Sequence, residues 1–279
     1  MATNMNPVIL VPTDFSEVCE NASRQAAQVA AHLDYKLVLL HVIDKNTRTY
    51  LKEEGLEEKA IEEKLQKAAA TLVADHEIEV EYIGKEGDIF TSIPDEAKDL
   101  GASMIFLGTH GKSGMQKLTG SFAMKVITAA PCPTVVVQKR EFMGGYKNII
   151  LPITSEAGPW EKTQWAVFIA KTFGSKIHIL LPHAAEKNVM ESGETIASYF
   201  EKNNVKHELV IGEKTNFTKE VIDYASAKNS DMIMIMTKPD KNFAAFLMGS
   251  YDEEILFNTP QIPVMCINPR KFNYEILGL

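Results

Sequence analysis

Val8-Ile9-Leu10-Val11-Pro12 recurs as Asn148-Ile149-Ile150-Leu151-Pro152, 140 positions further along the chain. The segment after each run has a helical pattern, ending at Ala30 and at Ala170, again 140 apart. Lys36-Leu37-Val38-Leu39-Leu40 and Lys176-Ile177-His178-Ile179-Leu180 continue the match in the same register. Matches at one spacing mark an internal repeat, and a repeat constrains the architecture before any single element does. The offset then falls to 128, where Gly84 answers to Gly212 and Met104-Ile105 to Met232-Ile233. The second copy is therefore 12 residues shorter, and the loss is placed in the charged Thr49–His76 region. A surface helix can shed turns without harming a core. Both copies end on an apolar run behind prolines, Pro131-Cys132-Pro133-Thr134-Val135-Val136-Val137 and Pro260-Gln261-Ile262-Pro263-Val264-Met265-Cys266-Ile267. Proline has no backbone donor, so it marks the start of a strand and not its middle.

Short apolar runs lie near 8–12, 37–43, 78–83, 104–108 and 134–138, and in the second copy near 148–152, 176–181, 206–211, 231–236 and 263–267. Amphipathic segments fall between them at 16–33, 51–75, 88–100 and 121–130, then at 160–173, 188–203, 216–228 and 249–258. Ser16 stands where it would cap the first helix, with Glu17 in the first turn. Nearly unbroken Val/Ile/Leu runs indicate strands buried on both faces, as in a parallel sheet. Strands alternating with helices imply right-handed crossovers and helices on both sheet faces. The fold class is α/β, with two tandem domains expected at 1–140 and 146–279. The linker is Lys139–Tyr146, centred on Gly144-Gly145. A chain of 279 residues is long enough for two domains, each with its own core.

The composition, 45% hydrophobic and 24% charged, is that of a globular protein. A net charge of −8 argues against a nonspecific nucleic-acid binder, which needs a basic surface to replace phosphate counterions. Lys and Glu are mixed along Lys52–Lys67, as on a solvated helix face. Cys19, Cys132 and Cys266 show no CxxC or zinc-finger spacing and read as small buried hydrophobes in a reducing compartment. Met1–Pro7 is polar, and no run reaches the ~18 apolar residues of a membrane helix. A cytoplasmic location without membrane contact is the expectation.

In an open parallel sheet, ligands bind beyond the carboxyl ends of the strands. Pro12-Thr13-Asp14 follows the first strand, and His41-Val42-Ile43-Asp44 closes the second. Leu107-Gly108-Thr109-His110-Gly111-Lys112-Ser113-Gly114 follows the fourth and leads to Gly120-Ser121 at a helix start. Glycines let backbone approach a phosphate closely, and a helix N-terminus offers free N–H groups to an anion. The same glycines would also serve a plain chain reversal. Gly111-Lys112-Ser113 is not the end of a Walker A motif, because Phe106 stands where that motif needs glycine. Asp14 has two readings, an acceptor for an adenine amino group or ribose hydroxyl, and an Asx-turn before Ser16. His110 and Lys112 read as solvated loop residues or phosphate contacts, and His41 as packed. No Ser–His–Asp, paired-carboxylate or metal-ligand spacing stands out, so neither a catalytic set nor a metal site is expected.

Val11-Pro12-Thr13-Asp14-Phe15-Ser16, Leu39-Leu40-His41-Val42-Ile43-Asp44 and Gly108-Thr109-His110-Gly111 with Gly120-Ser121 together resemble the universal stress protein family. The resemblance covers the first copy by motif and the second by pattern, so the chain looks like a tandem member. It implies two Rossmann-like domains of the adenine nucleotide alpha hydrolase type, each a five-stranded parallel sheet of order 3-2-1-4-5. It implies a stress-response binding or regulatory protein with ATP or a related adenine nucleotide as cofactor, alone or with Mg²⁺. No dedicated enzyme activity is implied beyond slow ATP hydrolysis. By the family's motif, Asp14 and Val42 would lie near adenine and Pro12 and Thr13 near the sugar. Gly108, Gly111, Gly120 and Ser121 would surround the phosphates. The two copies would pair within the chain as an intramolecular pseudo-dimer. The alternatives are a nucleotide-free scaffold for a protein partner and an apolar-ligand binder acting through the second domain.

Two departures are visible. The family spacing Gly-x2-Gly-x9-Gly-Ser/Thr is one residue short here, with eight residues at 112–119. In the second copy Thr154 replaces Asp14, Pro182 replaces Val42, and Met236-Thr237-Lys238-Pro239 replaces the first glycines, although Gly249-Ser250 survives. The loop Phe243–Met248 is apolar, which suits plugging a cleft better than cradling phosphate.

Overall fold

A computed structural model describes residues 7–109, 120–154, 159–237 and 251–269. The first half runs β1 (Val8–Pro12), α1 (Glu17–Leu33), β2 (Lys36–Ile43), α2 (Lys45–Glu54), α3 (Lys59–His76), β3 (Val80–Glu86), α4 (Ile89–Asp99), β4 (Met104–Gly108), α5 (Gly120–Ala129) and β5 (Thr134–Val137). The second runs β6 (Asn148–Pro152), α6 (Pro159–Phe173), β7 (Lys176–Leu181), α7 (Lys187–Lys202), β8 (Lys206–Ile211), α8 (Phe217–Ala227), β9 (Met232–Met236), α9 (Tyr251–Leu256) and β10 (Val264–Ile267).

The strands form one ten-stranded sheet in the order β3-β2-β1-β4-β5-β10-β9-β6-β7-β8. Each half thus has the order 3-2-1-4-5 and is parallel throughout. The halves meet where β5 pairs antiparallel with β10, Val136 opposite Val264. Strands β1, β4 and β5 are buried along their whole length, which is why their sequences are unbroken apolar runs.

The buried residues divide by sheet face. One face carries α1, α3, α6 and α7, and the other carries α4, α5, α8 and α9. Each apolar layer contains residues of both halves, so the expected separate core for each copy gives way to two layers sharing one sheet. The β5–β10 hydrogen bonds make the sheet continuous and let each layer run across the seam. Two amides mirror one another there. Gln138 Nε2 donates to the Leu256 carbonyl at 3.4 Å, and Asn268 Nδ2 donates to the Ile127 carbonyl at 2.7 Å. Each amide follows the last strand of its half and satisfies a carbonyl at the end of the other half's last helix, where no intrahelical donor remains.

The 139–146 segment is tied to the first helix. Asn21 Nδ2 donates to the carbonyls of Gln138 and Arg140 at 2.7 and 2.9 Å. The buried Tyr146 hydroxyl bonds to Gln25 Nε2 at 3.1 Å. Gly144 has φ 79°, a left-handed conformation that suits glycine.

Several local details differ from the sequence reading. The single helix expected at 51–75 is two. Asp44 Oδ1 accepts from the amides of Asn46 and Thr47, both at 2.9 Å, and so starts α2. Gly55, at φ 64°, ends it. Helices α3 and α7 begin at Lys59 and Lys187, already at the shorter offset, so the second copy has lost α2 itself and the loss precedes α3. Strand register sets Gly84 opposite His41 and Ile211 opposite Leu181, which makes Ile211, not Gly212, the counterpart of Gly84. Ser16 holds the N-cap position of α1, yet its side chain makes no cap bond. All three cysteines are buried, and among the described residues they form no disulfide. Among the described residues no helix is long and apolar enough to cross a membrane.

Candidate functional site

Strands β1, β2 and β4 are neighbours, so their carboxyl ends form one edge. At the end of β1, Pro12 is buried and the Thr13 amide donates to the Leu40 carbonyl at 2.8 Å. The chain then turns tightly. Thr13 Oγ1 accepts from the Phe15 amide at 3.0 Å, and Asp14 Oδ1 accepts from the Ser16 amide at 2.9 Å. Phe15 sits at φ 63°, a left-handed conformation uncommon for an aromatic residue. The Asx-type contact foreseen for Asp14 is therefore present. It uses one oxygen of an exposed carboxylate that has several acceptor positions.

Val42, near the end of β2, is buried on the face covered by α4 and α5. Gly108 closes β4 against α1. A Cβ there would lie 2.8 Å from the Cys19 Cα and amide nitrogen and from the Val18 carbonyl oxygen. The buried side of α1 is lined by Ala22, Ala26, Ala27 and Ala30, and small side chains bring a helix close to a sheet. Gly108 is thus required by helix packing, a role the sequence reading did not assign. Thr109 is buried, its amide donates to the Val137 carbonyl at 2.9 Å, and among the described residues its hydroxyl has no partner. Helix α5 begins at Gly120 with Ser121 next, which sets free helix-terminal amides there. Gly111, His110 and Lys112 lie outside the described residues. Pro12, Thr13, Asp14, Val42 and Gly108 are thus brought to one edge, while the segment between Thr109 and Gly120 lies outside the described residues.

Two titratable groups flank this edge. The His41 imidazole is buried, with Nδ1 2.8 Å from the Thr13 carbonyl and Nε2 3.1 Å from Thr47 Oγ1. Burial lowers its pKa and keeps the ring neutral. A carbonyl only accepts, so Nδ1 carries the proton and Nε2 accepts from Thr47. The Cys19 thiol is pushed up to about 12, chiefly by burial and then by the charge of Asp14, and is not a nucleophile. Among the described residues no group of three His, Cys, Asp or Glu side chains could hold a metal ion.

The corresponding edge of the second half is different. Thr154, Pro182 and Met236 stand at the places of Asp14, Val42 and Gly108. Lys162 replaces Ala22, and its buried ammonium donates to the Pro152 carbonyl at 2.5 Å. Gly249, Ser250 and the apolar run 243–248 lie outside the described residues. Sequence reading missed the His41–Thr47 contact and Lys162. The repeat alignment held a signal for the second, a lysine where the first copy has a buried alanine.

Residues 5–138 match the model of the universal stress protein family. Universal stress protein MJ0531 of Methanocaldococcus jannaschii is 30% identical over 143 residues, 49% of this chain and 84% of that protein. Universal stress protein MJ0577 of the same organism is 32% identical over 154 residues, 47% of this chain and 94% of that protein. Each matches about half of this chain over most of its own length, in keeping with a tandem arrangement. The crystal structure of a universal stress protein from Archaeoglobus fulgidus matches the whole fold, with TM-score 0.77 at 18% identity, covering 95% of this chain and 97% of that one. The chain belongs to the universal stress protein family.

Proposed function

We propose that the first half binds ATP or a related adenine nucleotide and that the chain acts as a stress-response regulatory protein without a dedicated catalytic activity. The observation that carries this reading is the Thr13–Asp14 turn, which holds an exposed carboxylate at the shared ends of β1, β2 and β4. The residues present fit the group. Asp14 offers acceptors for an amino group or ribose hydroxyl, and Val42 offers an apolar wall. Among the described residues the buried Thr109 hydroxyl has no partner, and the start of α5 at Gly120 presents helix-terminal amides suited to an anion. Pro12 and Thr13 would border the sugar, and Gly108, Gly111, Gly120 and Ser121 the phosphates. Any bound nucleotide would supply charge and a stacking base, not a reaction, and hydrolysis would be slow and incidental.

In this reading the domains divide at 1–140 and 146–279, and the second acts as a pseudo-domain. The β5–β10 seam would be an intramolecular counterpart of a dimer contact, and the protein would work in the cytoplasm. Binding would shift the population of a state that engages a protein partner. Heating the purified chain and chromatographing the supernatant tests the reading. Adenine nucleotide should be released in near-stoichiometric amount, or ATP with Mg²⁺ should bind in calorimetry. Absence of both would overturn it.

A further inference from the structure

We infer that His41 and Thr47 are positioning residues that hold the Thr13–Asp14 turn in place for the nucleotide, an inference that rests on the reading above. The turn is short and conformationally costly, since Phe15 takes a left-handed backbone at φ 63°. Something must hold it. His41 does so in two ways. Its Nδ1 donates to the Thr13 carbonyl at 2.8 Å, and its ring stacks on Phe15 with centroids 4.8 Å apart. The far nitrogen reaches Thr47 Oγ1, on the first turn of α2, at 3.1 Å. From α3, Lys64 places its ammonium 5.6 Å from the Phe15 ring and 4.6 Å from that of Tyr50, so α2 and α3 close over the stack.

The second half supplies an independent comparison. Leu181 stands at the register position of His41, α2 is missing, and Thr154 stands where Asp14 would be. The imidazole, its hydroxyl partner and the carboxylate are therefore absent together. A brace needed only for folding would have no reason to follow the carboxylate, because β7 forms with leucine at that place. On this account α2 is the outer anchor of the binding turn and not a dispensable surface helix.

The test uses the full chain. Amide hydrogen exchange at Phe15 and Ser16, followed by NMR without ligand, reads the turn itself, and calorimetry with ATP and Mg²⁺ reads its consequence. His41→Leu, the residue of the second half, should speed exchange at both amides and weaken ATP binding by about tenfold or more, as expected when a partly buried carbonyl loses its donor. His41→Asn keeps a donor toward Thr13 and should restore most of both. Thr47→Val, a gentler change on α2, should give a smaller effect of the same sign and serves if His41→Leu does not fold. Unchanged exchange in folded His41→Leu or Thr47→Val overturns the inference, as does equal loss in His41→Asn and His41→Leu. If wild-type chain takes up no ATP while exchange responds as expected, the nucleotide reading and the ligand half of this inference fail, and the turn brace stands.

Discussion

The two clefts stand on the same strand order and differ in what the chain packs beneath them. In the first, Ala22 and Gly108 let α1 press its backbone against β4, and the turn after β1 presents Asp14. In the second, Lys162 and Met236 occupy those two places, and the lysine spends its ammonium on the Pro152 carbonyl. A buried ammonium is tolerated only with partners. The difference teaches that one sheet can keep its topology while the helix–strand contact at its mouth changes completely. In the proposed reading the binding mouth depends on that contact, whereas the sheet depends on the apolar layers.

Exchanging residues between the halves should break the comparison most sharply. Gly108→Met, copying the second half, would drive a side chain into the Cys19 backbone. It should cost about 3 kcal/mol or more, read as a large fall in the denaturation midpoint. Met236→Gly, the reverse change, has no such collision to relieve and should cost about 1–2 kcal/mol through lost packing. Ala22→Lys would insert a long cation into a fully buried site and should destabilise by about 2–3 kcal/mol.

Acid sensitivity gives a smaller contrast. On β8, Glu208 is held at about 2, first by its bond from Lys176 and then by Tyr224 and His178. Its unfolded value is about 4.3, so the unfolded chain binds more protons between the two values. The stability it contributes is complete above that range and is lost as pH falls toward 2. Glu208→Gln should flatten this acid limb. The smallest effect is expected from His41 and His178, both kept neutral by burial. An unfolded imidazole takes up a proton below about 6.5, so each costs stability as pH falls below that value. Replacing either by a neutral residue should remove its share of the slope between pH 6.5 and 5.

How much of this was readable in the sequence follows from how local each feature is. The strands rest on unbroken apolar runs and a repeat, which survive as patterns over many residues, whereas their order was implied by the family resemblance. The division of α2 from α3 was hidden because a charged stretch with Gly55 inside it resembles one long helix. Gly108 was read as a ligand glycine, since its collision partner Cys19 lies 89 positions away in sequence. The bond from His41 to Thr13 spans 28 positions and depends on β1 and β2 lying side by side, which no local pattern encodes. Ser16 looked like a cap by residue type, but Asp14 takes the backbone amide of Ser16, and the serine hydroxyl is left out of the capping.

The central claim is that one half of the chain, and not the other, takes up the nucleotide. Calorimetric titration of the full chain with ATP and Mg²⁺ measures this directly as a stoichiometry. One equivalent per chain, lost in Asp14→Ala and kept in Thr154→Ala, is the predicted result. Two equivalents, none, or binding that survives Asp14→Ala and disappears with Thr154→Ala would contradict it.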